Sequence, residues 1–164
     1  MKRVVIVRHA KSVPYGYDED FNRDLADRGK NDAKLISLEL NAQKIFPDIM
    51  ISSPAKRALK TARIFAENLS YDRSAIQEVE EIYDGMTTSE FLDLIHQTPD
   101  SANTAFFFGH NPGLHYFTGN LLKHFNGDMP TCSTVGIDFN VNSWKEIEAR
   151  TGKQAFHLAP RMLK

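Results

Sequence analysis

Three apolar runs constrain this chain more than any other feature. Val4–Val7, Ile49–Ile51 and Phe106–Phe108 each read as a buried strand, and each gives way to polar residues at a turn or helix start. Arg8 and His9 follow the first run, Arg57 lies in SSPAKRALKTA after the second, and His110 lies in GHNPG after the third. Open α/β sheets bind ligands beyond the carboxyl ends of their strands. Two arginines and two histidines converging there make a cationic pocket for a phosphoryl group, with one imidazole free to attack it.

The remaining pattern fits such a sheet. Ala33, Ile36 and Leu40 mark the inner face of a helix over 27–42, with Asp27 as its cap. A strand near 47–52 leads into a helix opened by Ser53 as cap and Pro54 at its first position, with Ala58, Ala62, Phe65 and Leu69 inward. A short strand is expected over 75–79. Thr87 and Glu90 have the spacing of a capping box, opening a helix that buries Phe91 and Ile95. After the 104–108 strand, Asn111-Pro112 repeats the cap-plus-proline signature, and Leu114, Phe117, Leu121 and Phe125 form the next helical stripe. Residues 135–141 alternate with period two, and 154–158 supply a partner strand. Strands alternating with helices and then a hairpin predict an α/β fold with a mostly parallel sheet and an antiparallel edge. The whole chain, 1–164, reads as one domain.

Composition excludes several classes. A net charge of −1 gives no general reason to bind nucleic acid or an anionic membrane, so any anion site must be local. Cys132 is the only cysteine, which rules out an internal disulfide and suits a reducing compartment. The four apolar residues after Lys2-Arg3 are too few for a signal peptide, and no run approaches the roughly 20 residues of a membrane helix. The expected setting is cytoplasmic.

Each polar residue has a bland reading beside the chemical one. A neutral imidazole is a good nucleophile near pH 7, because its pKa is about 6.5. His9 needs only a carbonyl on its other nitrogen to keep the attacking one unprotonated. Arg8 offers a planar charge that can bind two phosphate oxygens at once. Otherwise the pair is a solvated strand end. Arg57 stands where free backbone N–H groups and the helix dipole favour anions. Alone it reads as a surface arginine like its neighbours Lys56, Lys60 and Arg63. His110 precedes a helix start whose dipole disfavours its charged form, with Gly109 allowing a sharp turn; its bland reading is a turn cap. Three such segments, each ending a buried strand, argue against coincidence.

RHAKS at 8–12, SSPAKRALKTA at 52–62 and GHNPG at 109–113 resemble the signatures of the histidine phosphatase superfamily, whose fold is phosphoglycerate mutase-like, a three-layer α/β/α sandwich. Within it the chain looks like the small SixA-type phosphohistidine phosphatases, and the likeness extends to RDLADRG at 23–29 and the tail from Trp144 to Pro160. The resemblance implies that His9 becomes phosphorylated, that Arg8 and Arg57 hold phosphoryl oxygens, and that His110 hydrogen-bonds a nonbridging oxygen. Arg23 matches an arginine lining the pocket in the small branch, and Asn22 or Ser12 would add a neutral hydrogen bond. Ala10 stands where the superfamily motif has glycine. The implied enzyme is a hydrolase without metal or other cofactor, its partner a phosphorylated substrate, most simply a phosphohistidine-bearing protein.

The general acid is the open point of this reading. Glu80, Glu81 and Asp84 lie in about the right region, and Asp18, Glu19 and Asp20 occupy the first loop, but spacing singles out none. A phosphohistidine substrate relaxes the demand, since imidazole leaves far more readily than an alcohol. Short connections also leave little material for a lid, which suits a phosphorylated side chain on a protein. A phosphomonoesterase for small molecules, or a mutase returning the phosphoryl group to product, would use the same residues. A metal hydrolase is disfavoured because His110 and His115 are five apart, not four; His96, His115, His124 and His157 read as surface or interface residues. A noncatalytic phosphate-binding module is the reading from another class. A cysteine phosphatase built on Cys132 lacks the glycine-rich loop and following arginine. Tyr15, Tyr17, Tyr83 and Tyr116 either shape the pocket rim or simply pack.

Overall fold

Val4 and Ile6 face one side of the first strand and Val5 and Val7 the other, and all four are fully buried. A strand apolar on both faces must be covered on both. The computed structural model describes residues 1–14, 16 and 19–164, and in it the sheet is covered in that way. The chain runs β1 (Lys2–Arg8), α1 (Asp27–Ala42), β2 (Ile49–Ser52), α2 (Lys56–Asn68), β3 (Gln77–Glu78), α3 (Glu80–Asp84), α4 (Thr88–His96), β4 (Thr104–Gly109), α5 (Gly113–Leu121), β5 (Thr134–Phe139) and β6 (Lys153–Leu158). The six strands lie in the order β3-β2-β4-β1-β5-β6. β3, β2, β4 and β1 pair in parallel, and β5 pairs antiparallel with both β1 and β6. This is the three-layer, mostly parallel architecture with an antiparallel edge that the sequence predicts.

One core layer sets Val4, Ile6, Ile51 and Phe107 against Phe91 of α4 and Phe117 and Leu121 of α5. The other sets Val5, Val7, Met50, Phe106 and Phe108 against Ile36 and Leu40 of α1 and Ala62 and Phe65 of α2. Phe91 stacks flat on Phe117 with ring centroids 4.4 Å apart.

Three helix starts differ from expectation. Ala26 is the N-cap of α1, so Asp27 lies inside the first turn, where its charge still meets the positive end of the helix dipole. α2 begins at Lys56 with Ala55 as N-cap. Ser53 Oγ accepts from the Ala55 N–H, closing the turn before the helix. α5 begins at Gly113 after a cis Asn111–Pro112 peptide, and the Asn111 side chain donates to the Met129 carbonyl instead of capping. The Thr87–Glu90 capping box forms as predicted. α5 stops at Leu121, short of Phe125, because Leu122 leaves the helix to pair with Gly152. The short helix α3, which carries no periodic signal, lies outside the elements predicted.

Candidate active site

The strand register brings the three sequence segments to one place. Arg8 lies opposite Gly109 on β4, and Ser52 lies opposite Phe108. Beyond the strand ends the ladder continues: the His9 N–H donates to the Gly109 carbonyl at 3.0 Å, and the Ser53 N–H to the Phe108 carbonyl at 2.9 Å. α2 is tied to the first segment by Thr61, whose hydroxyl donates to the Arg57 carbonyl and accepts from the Ala10 N–H. Thr61 is fully buried, and its role is invisible in a helical pattern that shows only a polar residue. Gly109 serves close approach rather than a turn: a Cβ there would stand 2.8 Å from Cγ2 of Ile82, so glycine lets α3 sit against the end of β4.

His9 is buried, and its Nδ1 lies 2.7 Å from the Ala10 carbonyl. A carbonyl only accepts, so Nδ1 carries the proton and Nε2 keeps its lone pair. Burial pushes the His9 pKa down to about 4, and the charges of Arg57, Arg8 and Arg23 push in the same direction against the Ala10 hydrogen bond. The ring centroid of His110 is 5.3 Å from that of His9. Burial, and then His9 and Arg57, lower its pKa to about 3. His110 Nε2 is 2.8 Å from Ser53 Oγ. Ser53 is fully buried, and among the described residues Nε2 is the acceptor within reach of its hydroxyl hydrogen, which assigns the His110 proton to Nδ1. Among the described residues, Nδ1 of His110, Nε of Arg8 and Nε of Arg57 are all buried without a hydrogen-bond partner. Buried donors seldom go unpaired. Here three of them belong to one constellation, an arrangement suited to an anion.

The arginines are held from the sides. Arg8 donates through Nη1 to the Met129 carbonyl. Arg57 donates through Nη1 to the Asp20 carbonyl at 2.7 Å and through Nη2 to Asp20 Oδ2 at 3.1 Å. Arg23 donates through Nε to Asp20 Oδ1 at 3.1 Å and through Nη1 to the Val13 carbonyl. The Tyr83 hydroxyl donates to Asp20 Oδ2 at 2.8 Å, and its ring meets His110 and Phe21 edge-on. Asp20 thus links the first loop, α2 and α3. Tyr83 and Arg57 hold its carboxyl below the usual carboxylate range against the effect of burial, with Arg23 acting in the same direction.

The other sequence candidates fall as follows. Glu80, Glu81 and Asp84 are exposed; Asp84 lines the cleft beside His110, and the residue of α3 that hydrogen-bonds within the constellation is Tyr83. Asn22 is exposed, and Ser12 pairs through its backbone with Leu25. Tyr15, Tyr17 and Asp18 lie outside the described residues. His96 bonds to the Ile147 carbonyl and His157 to Ser133, away from the site. Cys132 is fully buried, and burial pushes its thiol far up. A cleft of about 330 Å³ opens beside His110, between Tyr83, Met86 and Tyr116. A larger depression of about 860 Å³ lies at the opposite end of β1 beside Arg3, which is already paired with Asp138.

The sequence profile of the histidine phosphatase superfamily (branch 1) matches residues 4–113. The chain belongs to that superfamily. Its fold is shared by the protein histidine phosphatase SixA solved with tungstate, at a TM-score of 0.85 and 19% identity over 99% of both chains. A SixA structure from Agrobacterium tumefaciens superposes at a TM-score of 0.81 with 22% identity, over 97% of this chain and 98% of that one. Among sequence relatives, phosphoserine phosphatase 1 of Hydrogenobacter thermophilus is 37% identical over 96 residues, which span 57% of this chain and 44% of that protein. An uncharacterized chloroplastic protein of Arabidopsis thaliana is 25% identical over 96% of this chain and 75% of its own length. All three sequence segments lie within the stretch that matches the histidine phosphatase superfamily.

Proposed function

We propose that this protein is a phosphatase that works through a phosphorylated His9, needs no metal, and removes the phosphoryl group from phosphohistidine on a protein. His9 Nε2 attacks phosphorus in line with the departing nitrogen. Arg8, Arg57 and Arg23 neutralise the equatorial oxygens, and the Nδ1–H of His110 donates to one of them. Catalysis of this kind is mostly positioning and fixed charge. Water then attacks the same phosphorus and releases orthophosphate.

The observation that carries the substrate class is the state of Asp20. Among the described residues it is the carboxylate that hydrogen-bonds to the pocket arginines, and their charges keep it ionised. His9 and His110 are both neutral near pH 7, with His9 donating its proton to Ala10. Among the described residues the hydrogen-bonded constellation around His9 and His110 therefore has no ready acid for an alkoxide. It suits a leaving group that departs without one, as an imidazole does. The SixA fold and the cleft beside His110 support the same reading.

The test is turnover of a panel: a phosphohistidine protein, phosphoserine and sugar phosphates, and an aryl phosphate. Preference for phosphohistidine over the alkyl esters by orders of magnitude is expected. Comparable or faster phosphoserine turnover would contradict the substrate assignment, and phosphoryl return to a second acceptor would make the protein a mutase.

A further inference from the structure

In-line attack fixes where the leaving group must go. The departing atom lies on the far side of phosphorus from His9, which is 7% exposed. The Asp20 side chain, 36% exposed, bonds to Arg23, to Arg57 and to Tyr83, whose ring meets that of His110. Tyr83 also lines the cleft beside His110, so a leaving group that enters through this cleft passes Tyr83 and the Asp20 carboxylate bonded to it.

We infer that Asp20 is a catalytic, specificity-determining residue whose carboxylate accepts a hydrogen bond from the distal N–H of the substrate's phosphorylated imidazole. The inference rests on the phosphohistidine reading above. Arg23 holds Oδ1 of Asp20 through Nε and Nη2, and Arg57 and Tyr83 hold Oδ2, yet the side chain is 36% exposed, so an incoming N–H can still reach the carboxylate. The charge balance points the same way. Three arginines surround a phosphoryl dianion, and a phosphoimidazole protonated on its distal nitrogen would bring a further positive charge beside them. Among the described residues, Asp20 is the negative group hydrogen-bonded within the pocket that offsets it.

The step balances without a proton donor. The His9 Nε2 lone pair forms the new N–P bond. The substrate's N–P bond breaks, and its electron pair stays on the departing nitrogen. The protonated phosphoimidazole thereby becomes a neutral imidazole, still carrying its distal proton against Asp20. His9, with Nδ1–H on Ala10, becomes the new cationic phosphoimidazole. An alcohol leaving group gains nothing from Asp20, which has no proton to give.

The experiment compares Asp20→Asn with wild type on a phosphohistidine peptide and on p-nitrophenyl phosphate, whose phenolate departs unprotonated. Loss of a charge-assisted hydrogen bond predicts that kcat/KM for phosphohistidine falls at least about tenfold. The aryl phosphate rate also falls, because Asp20 braces Arg57 and Arg23, but by less, so the ratio of the phosphohistidine to the aryl phosphate kcat/KM drops. Among the described residues, the charged and titratable groups facing Asp20 are Arg23, Arg57 and Tyr83, with His110 behind them. Burial keeps His110 neutral here and the bond to Asp20 raises the Tyr83 hydroxyl above its ordinary value, so the basic limb of the phosphohistidine profile reports the substrate imidazolium. That limb moves to lower pH in Asp20→Asn. Equal losses on both substrates with an unmoved limb would reduce Asp20 to a support for the arginines and overturn the inference. So would an unchanged phosphohistidine rate. Wild type failing to prefer phosphohistidine is a different result, which removes the substrate reading itself.

Discussion

Ser53 Oγ and His110 Nε2 are 2.8 Å apart, and that contact decides which nitrogen of His110 can face an anion. Ser53→Ala removes the donor that keeps Nε2 unprotonated, so the proton is free to move from Nδ1. A neutral hydrogen bond of about 0.5–1.5 kcal/mol predicts a loss of about three- to tenfold in kcat/KM. Nitrogen chemical shifts of the His110 ring report the tautomer directly. Unchanged kinetics with Nδ1 still protonated would show that Ser53 does not set it.

His9 and His110 have pKa values near 4 and near 3, well below the ordinary 6.5. NMR titration should therefore find both rings neutral at about pH 5.5, where a solvent-exposed histidine is mostly charged. The stability consequence has a definite sign. The unfolded chain binds more protons than the folded one once pH drops below about 6.5, so stability is full above that value and is lost as pH falls. The loss levels off near 4 for His9 and near 3 for His110. Urea unfolding between about pH 7 and about pH 4.5 should show it, with a shallower slope in His9→Ala. An equal slope in the variant would mean that His9 is not buried in its neutral form.

Arg57 lies under 10% exposed and holds the first loop through two bonds to Asp20. Arg57→Ala should cost at least about tenfold in kcat/KM, since a charge-assisted hydrogen bond is worth about 1.5–3 kcal/mol. Arg57→Lys should rescue little, because one ammonium cannot hold Asp20 and a phosphoryl oxygen in the same planar fork. Full activity in the lysine variant would show that charge alone is needed there.

The legibility of this chain divides along a physical line. The sheet and the two-layer core were readable because fully apolar strands such as Val4–Val7 have few other places to go. That Arg8, His9, Arg57 and His110 come together is legible because each stands shortly after such a strand. What was hidden depends on contacts across long sequence separation. The Asp20–Tyr83 bond joins residues 63 apart, and Thr61 reaches Ala10 over 51 positions. Ser53 looked like a helix cap because its neighbour is proline, yet its hydroxyl serves His110. The acidic residues of α3 drew attention by their charge, whereas Tyr83 between them makes the contact.

Lys2 offers a test of the fold apart from the site. It is 3% exposed, and its Nζ donates to the Asp100 and Ala102 carbonyls and to Asn103 Oδ1, with the Trp144 ring 5.8 Å away. Lys2→Met keeps much of the bulk but strands these acceptors, at about 1–3 kcal/mol for a buried group left unsatisfied. Chemical denaturation should show that loss with kinetic constants of the folded enzyme unchanged. A neutral effect on stability would mean that water replaces the ammonium.

The most direct measurement is the site of phosphoryl capture. Wild-type protein mixed briefly with a phosphohistidine peptide, quenched in alkali and mapped by mass spectrometry should carry phosphate on His9. His9→Ala should carry none while still binding tungstate. Phosphate on another residue, or steady turnover by His9→Ala, would contradict the account.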